Sequence, residues 1–144
     1  MRTRYAILDD EPLWLTFEDV AEIHDEQIRL YGGLAGIKDV NLVHGAIAAP
    51  GNLFLYEGQE DVLALAVKLC LALAKNHGFA DGNKRTATAA MIEFLLIDGY
   101  DIVVADEDPE APTLGRWVEM LVRHDITAEQ LRSYLRPFGI RRTA

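Results

Sequence analysis

Fixed positive charge is scarce in this chain. Lysine and arginine supply 14 of the 144 residues against 23 carboxylates, a formal net charge of −9 at pH 7. That balance excludes the phosphate-neutralising surface on which duplex binding depends, so no direct DNA contact is expected. Cysteine is scarcer still. The one thiol, Cys70, lies in an apolar run, which rules out a disulfide framework and leaves a buried, inert side chain in a reducing compartment as the expectation. Long apolar segments are missing as well: the longest, Val62 to Ala74, is interrupted by Lys68 and is too short to span a bilayer. At the N-terminus, Asp9, Asp10 and Glu11 arrive before any apolar stretch of signal-peptide length. A cytoplasmic protein with no membrane partner is expected. What remains is an ordinary globular mixture, half hydrophobic and 26% charged, on a length that suits one domain over residues 1–144.

The apolar spacing is mostly helical. Thr16 followed by Asp19 reads as a capping box, and Phe17, Val20, His24, Ile28 and Tyr31 then recur on one face until Gly32-Gly33 stops the helix. A short second helix is expected after Asp39, ending before Pro50. Two segments are apolar on every face, about Asp61 to Asn76 and about Thr86 to Ile97, and helices of that kind are buried. Ile102 to Val104 reads as a short strand, with Tyr5 to Leu8 as a possible neighbour, and Asp106 to Pro112 as an acidic loop. Trp117, Met120 and Leu121 mark a helix ending near Arg123. A last helix opens on a second capping box, Thr127 with Gln130, and ends before Pro137. Arg132, Arg136, Arg141 and Arg142 make the C-terminus basic, read as a solvated or frayed end pairing with acidic surface.

Between the two buried helices lies a polar turn, His77-Gly78-Phe79-Ala80-Asp81-Gly82-Asn83-Lys84-Arg85. A glycine-containing turn that opens into a helix presents unpaired N–H groups at a positive dipole end, which suits an anion. Gly82 lets the backbone come close to a phosphate, Asn83 either caps the helix or donates its amide to the anion, and Lys84 and Arg85 add fixed charge. Asp81 is a hard oxygen donor of the kind that holds Mg²⁺ beside phosphates. His77 has the side chain best suited to accept a proton near neutral pH. Taken singly, each has a plainer reading: His77 as a helix C-terminus, Asp81 as a cap. His24 reads as a satisfied core histidine, and His44 and His124 as surface or packing residues, with no zinc cluster among them.

His77 to Arg85 resembles the Fic/Doc family signature, H-x-F-x-D/E-G-N-G/K-R, at every defined position, and the context from Leu73 to Ala87 is similar to the Doc-branch pattern LAKNHPFVDGNKRTA. The likeness continues through His24-Asp25, Tyr31-Gly32-Gly33, Gly36-Ile37-Lys38-Asp39, Phe94-Leu95 and Gly99-Tyr100, covering about residues 14–136 and leaving a short basic tail at 137–144. The resemblance implies a mainly α, single-domain Fic/Doc helical bundle with at most a small β element. It implies His77 as the catalytic histidine, Phe79 as the aromatic that seats the loop, Asp81 as the acid associated with Mg²⁺, and Gly82, Asn83, Lys84 and Arg85 as the phosphate- and nucleotide-binding segment.

Thr88 stands where AMP-transferring relatives usually carry a second arginine, and Lys84 where they usually carry glycine. Both features match the Doc branch. That branch implies a toxin which transfers the terminal phosphate of ATP to a threonine of elongation factor Tu, arrests translation, and is held by an antitoxin whose C-terminal helix folds on binding. AMP transfer to a protein hydroxyl is the runner-up, and a degenerate fold that only binds protein is the alternative outside enzymes. Gly78 replaces the commoner proline, which would loosen the backbone beside His77; His44-Gly45 replaces a common Glu-Ser pair. The family's substrate-holding flap would fall at Gly51 to Asp61, a segment that also suits an ordinary connector. No S/T-x-x-x-E-G/N inhibitory segment is present, so inhibition is expected to come from a partner.

Overall fold

A computed structural model describes residues 11–104 and 112–141. Six helices and two short strands run in the order α1 Phe17–Tyr31, α2 Val40–Glu57, α3 Val62–Asn76, α4 Asn83–Ile97, β1 Tyr100–Ile102, α5 Thr113–Val122, α6 Ala128–Leu135 and β2 Gly139–Arg141, with a 3₁₀ turn at Arg136–Phe138 before β2. The architecture is mainly α, as the apolar spacing indicates.

α3 is the centre of the packing. Nine of its residues are buried, from Val62 through Ala74, and it lies against α4, α2, α6 and α5, with α4 its largest neighbour. α4 contributes Ala87, Ala90, Met91, Phe94 and Leu95 to the same core. Each large side chain removed from water there stabilises the fold by about 1.5–3 kcal/mol. Cys70 is fully buried and its thiol pKa is pushed up to about 12 by desolvation, which makes it inert. Among the described residues no helix is long and apolar enough to cross a membrane.

The caps form where the sequence places them. Thr16 Oγ1 accepts from the Asp19 amide at 3.1 Å while Asp19 Oδ2 accepts from the Thr16 amide at 2.8 Å, and Thr127 and Gln130 repeat the exchange at α6. Asp61 caps α3 and also receives Arg132 and Arg136, so α6 is tied to the start of the central helix.

Three boundaries differ from the sequence reading. α2 does not stop before Pro50: the proline is buried inside the helix, which continues to Glu57. An internal proline costs a helix about 3 kcal/mol. Leu53 and Phe54 pack against the core beyond it, and the Trp14 ring meets the Phe54 ring edge-on at 5.8 Å. The segment expected as a flap or connector, Gly51 to Asp61, is therefore mostly the last turns of α2. α4 starts at Asn83 and not at Thr86. The strand is Tyr100–Ile102, slightly earlier than Ile102 to Val104, and its partner is β2 in antiparallel register, with Tyr100 opposite Arg141 and Ile102 opposite Gly139. The basic end is thus built into α6, the 3₁₀ turn and β2 up to Arg141. The expected strand at Tyr5 to Leu8 lies outside the described residues, as does nearly all of the loop at Asp106 to Pro112.

Candidate functional site

The polar turn joins the two most buried helices, and its backbone is held from three sides. α3 ends at His77, whose φ of 52° and ψ of 43° put it in the left-handed region, a conformation that costs a residue with a Cβ about 1 kcal/mol. Its imidazole is exposed and has no hydrogen-bond partner among the described residues. Gly78 is buried, and its carbonyl accepts from the amides of Lys38 at 2.8 Å and Asp39 at 3.0 Å at the entry to α2. A Cβ there would lie 2.5 Å from Val43 Cγ2 and 3.0 Å from the Val43 amide nitrogen. Glycine at this position therefore permits close approach of α2, and its carbonyl ties the backbone beside His77 to the entry of that helix.

Phe79 follows, 2% exposed, and pairs with Ile37 in an isolated antiparallel bridge. Asn83 closes the turn: Oδ1 accepts from the Phe79 amide and Nδ2 donates to the Phe79 carbonyl, both at 3.1 Å. Of the two alternatives read from the sequence, the helix cap is not made. The Asn83 amide is engaged with backbone.

Asp81 is exposed, with Oδ1 accepting from the Gly82 amide at 2.9 Å and Oδ2 from the Leu34 amide at 3.2 Å. Those two N–H groups hold its carboxyl below the usual carboxylate range, desolvation opposes them, and the charges of Arg85 and His24 add to the lowering. Gly33 makes room for it, since a Cβ there would meet Asp81 Oδ2 at 2.7 Å. Gly82, at φ 73°, precedes α4 without any side-chain cap. The first-turn amides of α4 are thus left to solvent or a ligand.

The two cations diverge from the turn. Lys84 Nζ sits 2.8 and 3.0 Å from the Glu119 carboxylate on α5. Arg85 donates to the Gly32 carbonyl at 2.9 Å and the Gln27 carbonyl at 3.4 Å, and its guanidinium lies 5.7 Å from the centre of the Tyr31 ring. Beside them a cavity of about 670 Å³ opens between α1, α4 and α5, lined in part by Tyr31, Lys84, Arg85, Thr88, Val118 and Glu119.

His24, taken as a core histidine, is 1% exposed and satisfied: its Nε2 lies 2.8 Å from the Asp81 carbonyl. Glu119, the α1 carbonyls and the Leu34 amide escaped sequence reasoning, because nothing in their local pattern points to the turn. His44 stacks on Phe17, and His124 contacts Lys75; both are packing or surface residues. Among the described residues there is no cluster of three or more His, Cys, Asp or Glu side chains that could hold a metal. A cation here would rest on the Asp81 carboxylate together with phosphate oxygens, a donor set that Mg²⁺ uses.

An exposed imidazole, an ionised carboxylate, an uncapped helix N-terminus and two cations thus lie within one nine-residue turn on a helical core. The Fic/DOC family profile matches residues 14–95, and the chain belongs to that family. It is 31% identical over 90 residues to Protein kinase doc of Escherichia phage P1, covering 62% of this chain and 71% of that protein. It is also 37% identical over 79 residues to Toxin Doc of Mycolicibacterium smegmatis, covering 54% of this chain and 60% of that one.

Proposed function

We propose that this protein is a Doc-type toxin, a cytoplasmic enzyme that transfers the terminal phosphate of ATP to a hydroxyl of a translation factor, with a threonine of elongation factor Tu as the candidate acceptor. The observation that carries this reading is the juxtaposition at the α3–α4 turn: an exposed His77, without a hydrogen-bond partner among the described residues, stands four residues before an ionised Asp81 and the uncapped start of α4. The names of the two relatives, a protein kinase and a toxin, support the same reading.

His77 takes the proton of the acceptor hydroxyl, for which an exposed imidazole at a fixed backbone position is suited. The amides at the start of α4, with Lys84 and Arg85, bind the phosphates and stabilise the charge that builds up during transfer. Asp81 would hold Mg²⁺, which when bound would supply positive charge to offset that of the phosphates. Phe79, clamped by Asn83, keeps the turn seated. The Lys84–Glu119 pair is exposed on both sides, so it is worth no more than about 1 kcal/mol and yields readily to a phosphate. AMP transfer would use the same base and the same anion site with the nucleotide reversed; Lys84 and Thr88, where AMP-transferring relatives usually carry glycine and arginine, favour phosphate.

An antitoxin with a C-terminal segment that folds into an amphipathic helix completes the proposal, since the chain carries no inhibitory glutamate motif of its own. The cavity beside Lys84 and Arg85 is the candidate groove for that helix. The test is controlled expression. Wild-type protein produced without its partner is expected to arrest growth, and His77→Ala at equal level to permit it; arrest by both, or by neither, contradicts the reading.

A further inference from the structure

We propose that His24 is a positioning residue, which sets the turn through a hydrogen bond to the Asp81 carbonyl and a stacking contact with Phe79; this rests on the function proposed above. The imidazole comes from the buried face of α1, is 1% exposed, and lies 2.8 Å through Nε2 from the Asp81 oxygen. A carbonyl only accepts, so Nε2 carries the hydrogen and the ring acts as a donor. The same ring lies 4.0 Å from the Phe79 ring at 10° between planes. One side chain thereby grips the turn at two points, the seated aromatic and the peptide that leads into Gly82.

The backbone of Gly82 also approaches α1 closely. A Cβ at this glycine would lie 3.2 Å from Ile28 Cδ1 and 3.8 Å from His24 Nε2. His24 and Ile28 are one helical turn apart, so α1 offers a platform against which the start of α4 is registered. Removing the donor would leave the Asp81 peptide free to rotate, and with it the Asp81 carboxylate and the amides proposed to bind phosphate. A histidine that merely fills the core would have no such effect.

Two substitutions separate donor from ring in the full-length protein. His24→Phe keeps a ring for Phe79 and loses the donor; His24→Gln keeps an amide donor near the Nε2 position and loses the ring. Hydrogen exchange at the amides of residues 78–85 is expected to speed up about tenfold in His24→Phe and to return close to wild type in His24→Gln. In transfer from Mg-ATP to lysate protein, the ATP concentration for half-maximal rate is expected to rise about tenfold in His24→Phe and to recover in His24→Gln. A loss of folded enzyme would lower the rate and leave that concentration unchanged. Wild-type exchange in folded His24→Phe, or a glutamine variant as impaired as phenylalanine, overturns the proposal. If the wild-type protein transfers nothing, the functional reading fails, while the exchange arm still decides the role of His24.

Discussion

Asn83 grips Phe79 at both backbone atoms, accepting from its amide and donating to its carbonyl at 3.1 Å each. A side-chain amide carries an acceptor and a donor side by side, which matches the N–H and C=O of Phe79, and the two bonds close the turn into a ring. Asn83→Asp replaces the donor by an oxygen facing the Phe79 carbonyl. Stability is expected to fall by about 1–2 kcal/mol in urea denaturation, with transfer activity falling at least tenfold. Equal stability would mean that the clamp is not made in solution.

His77 is expected to be a site where stability and activity part. Its left-handed backbone favours glycine, so His77→Gly should hold or raise the unfolding free energy, by about 0.5–1 kcal/mol, while abolishing transfer. A variant that unfolds earlier than wild type would show that the imidazole contributes contacts beyond those described.

Gly78→Ala places a methyl group against Val43, a stiff side chain, and against the amide nitrogen behind it. Destabilisation of about 1–3 kcal/mol is expected, together with faster exchange of the Lys38 and Asp39 amides that bond the Gly78 carbonyl. Wild-type stability would mean that α2 yields at no cost.

Asp98, the residue that ends α4, gives a pH signature. Desolvation pushes its carboxyl up to about 6, against the opposing bond from the Leu13 amide to Oδ1 at 2.8 Å, and Oδ2 is buried without a partner among the described residues. Between the unfolded value of about 3.9 and the folded one, the native state binds more protons than the unfolded. Its stabilising contribution is therefore full below about pH 4 and lost as pH rises through 6. Asp98→Asn keeps an acceptor for Leu13 and removes the titration. From pH 4 to pH 7 its stability is expected to decline less than that of wild type by about 1 kcal/mol, allowing for partial exposure. Parallel pH profiles for the two proteins would contradict this.

What the sequence revealed was what its local chemistry determines. The capping boxes at Thr16 and Thr127 are exchanges between residues three apart, and both formed. The all-round apolarity of residues 62–74 marked a central helix without any knowledge of its neighbours. Pro50 misled because the packing of Leu53 and Phe54 that carries α2 past it is tertiary. β2 went unseen because its partner β1 lies nearly forty residues upstream. The motif turn was legible as a set of residue types, but their partners were not: Asn83 holds backbone, Arg85 reaches α1, and His24 reaches Asp81 across 57 positions. Burial of His24 could be read from its helical face; the acceptor it finds there could not.

The central claim is that this turn moves the terminal phosphate of ATP onto a protein hydroxyl with His77 as the base. Parallel incubations of a bacterial lysate with the purified protein, Mg²⁺ and ATP labelled at either the α or the γ phosphate test it most directly. Label is expected on a single lysate protein from γ-labelled ATP only, and on none when His77→Ala replaces the wild type; transfer of the α label, or transfer that survives the substitution, would contradict it.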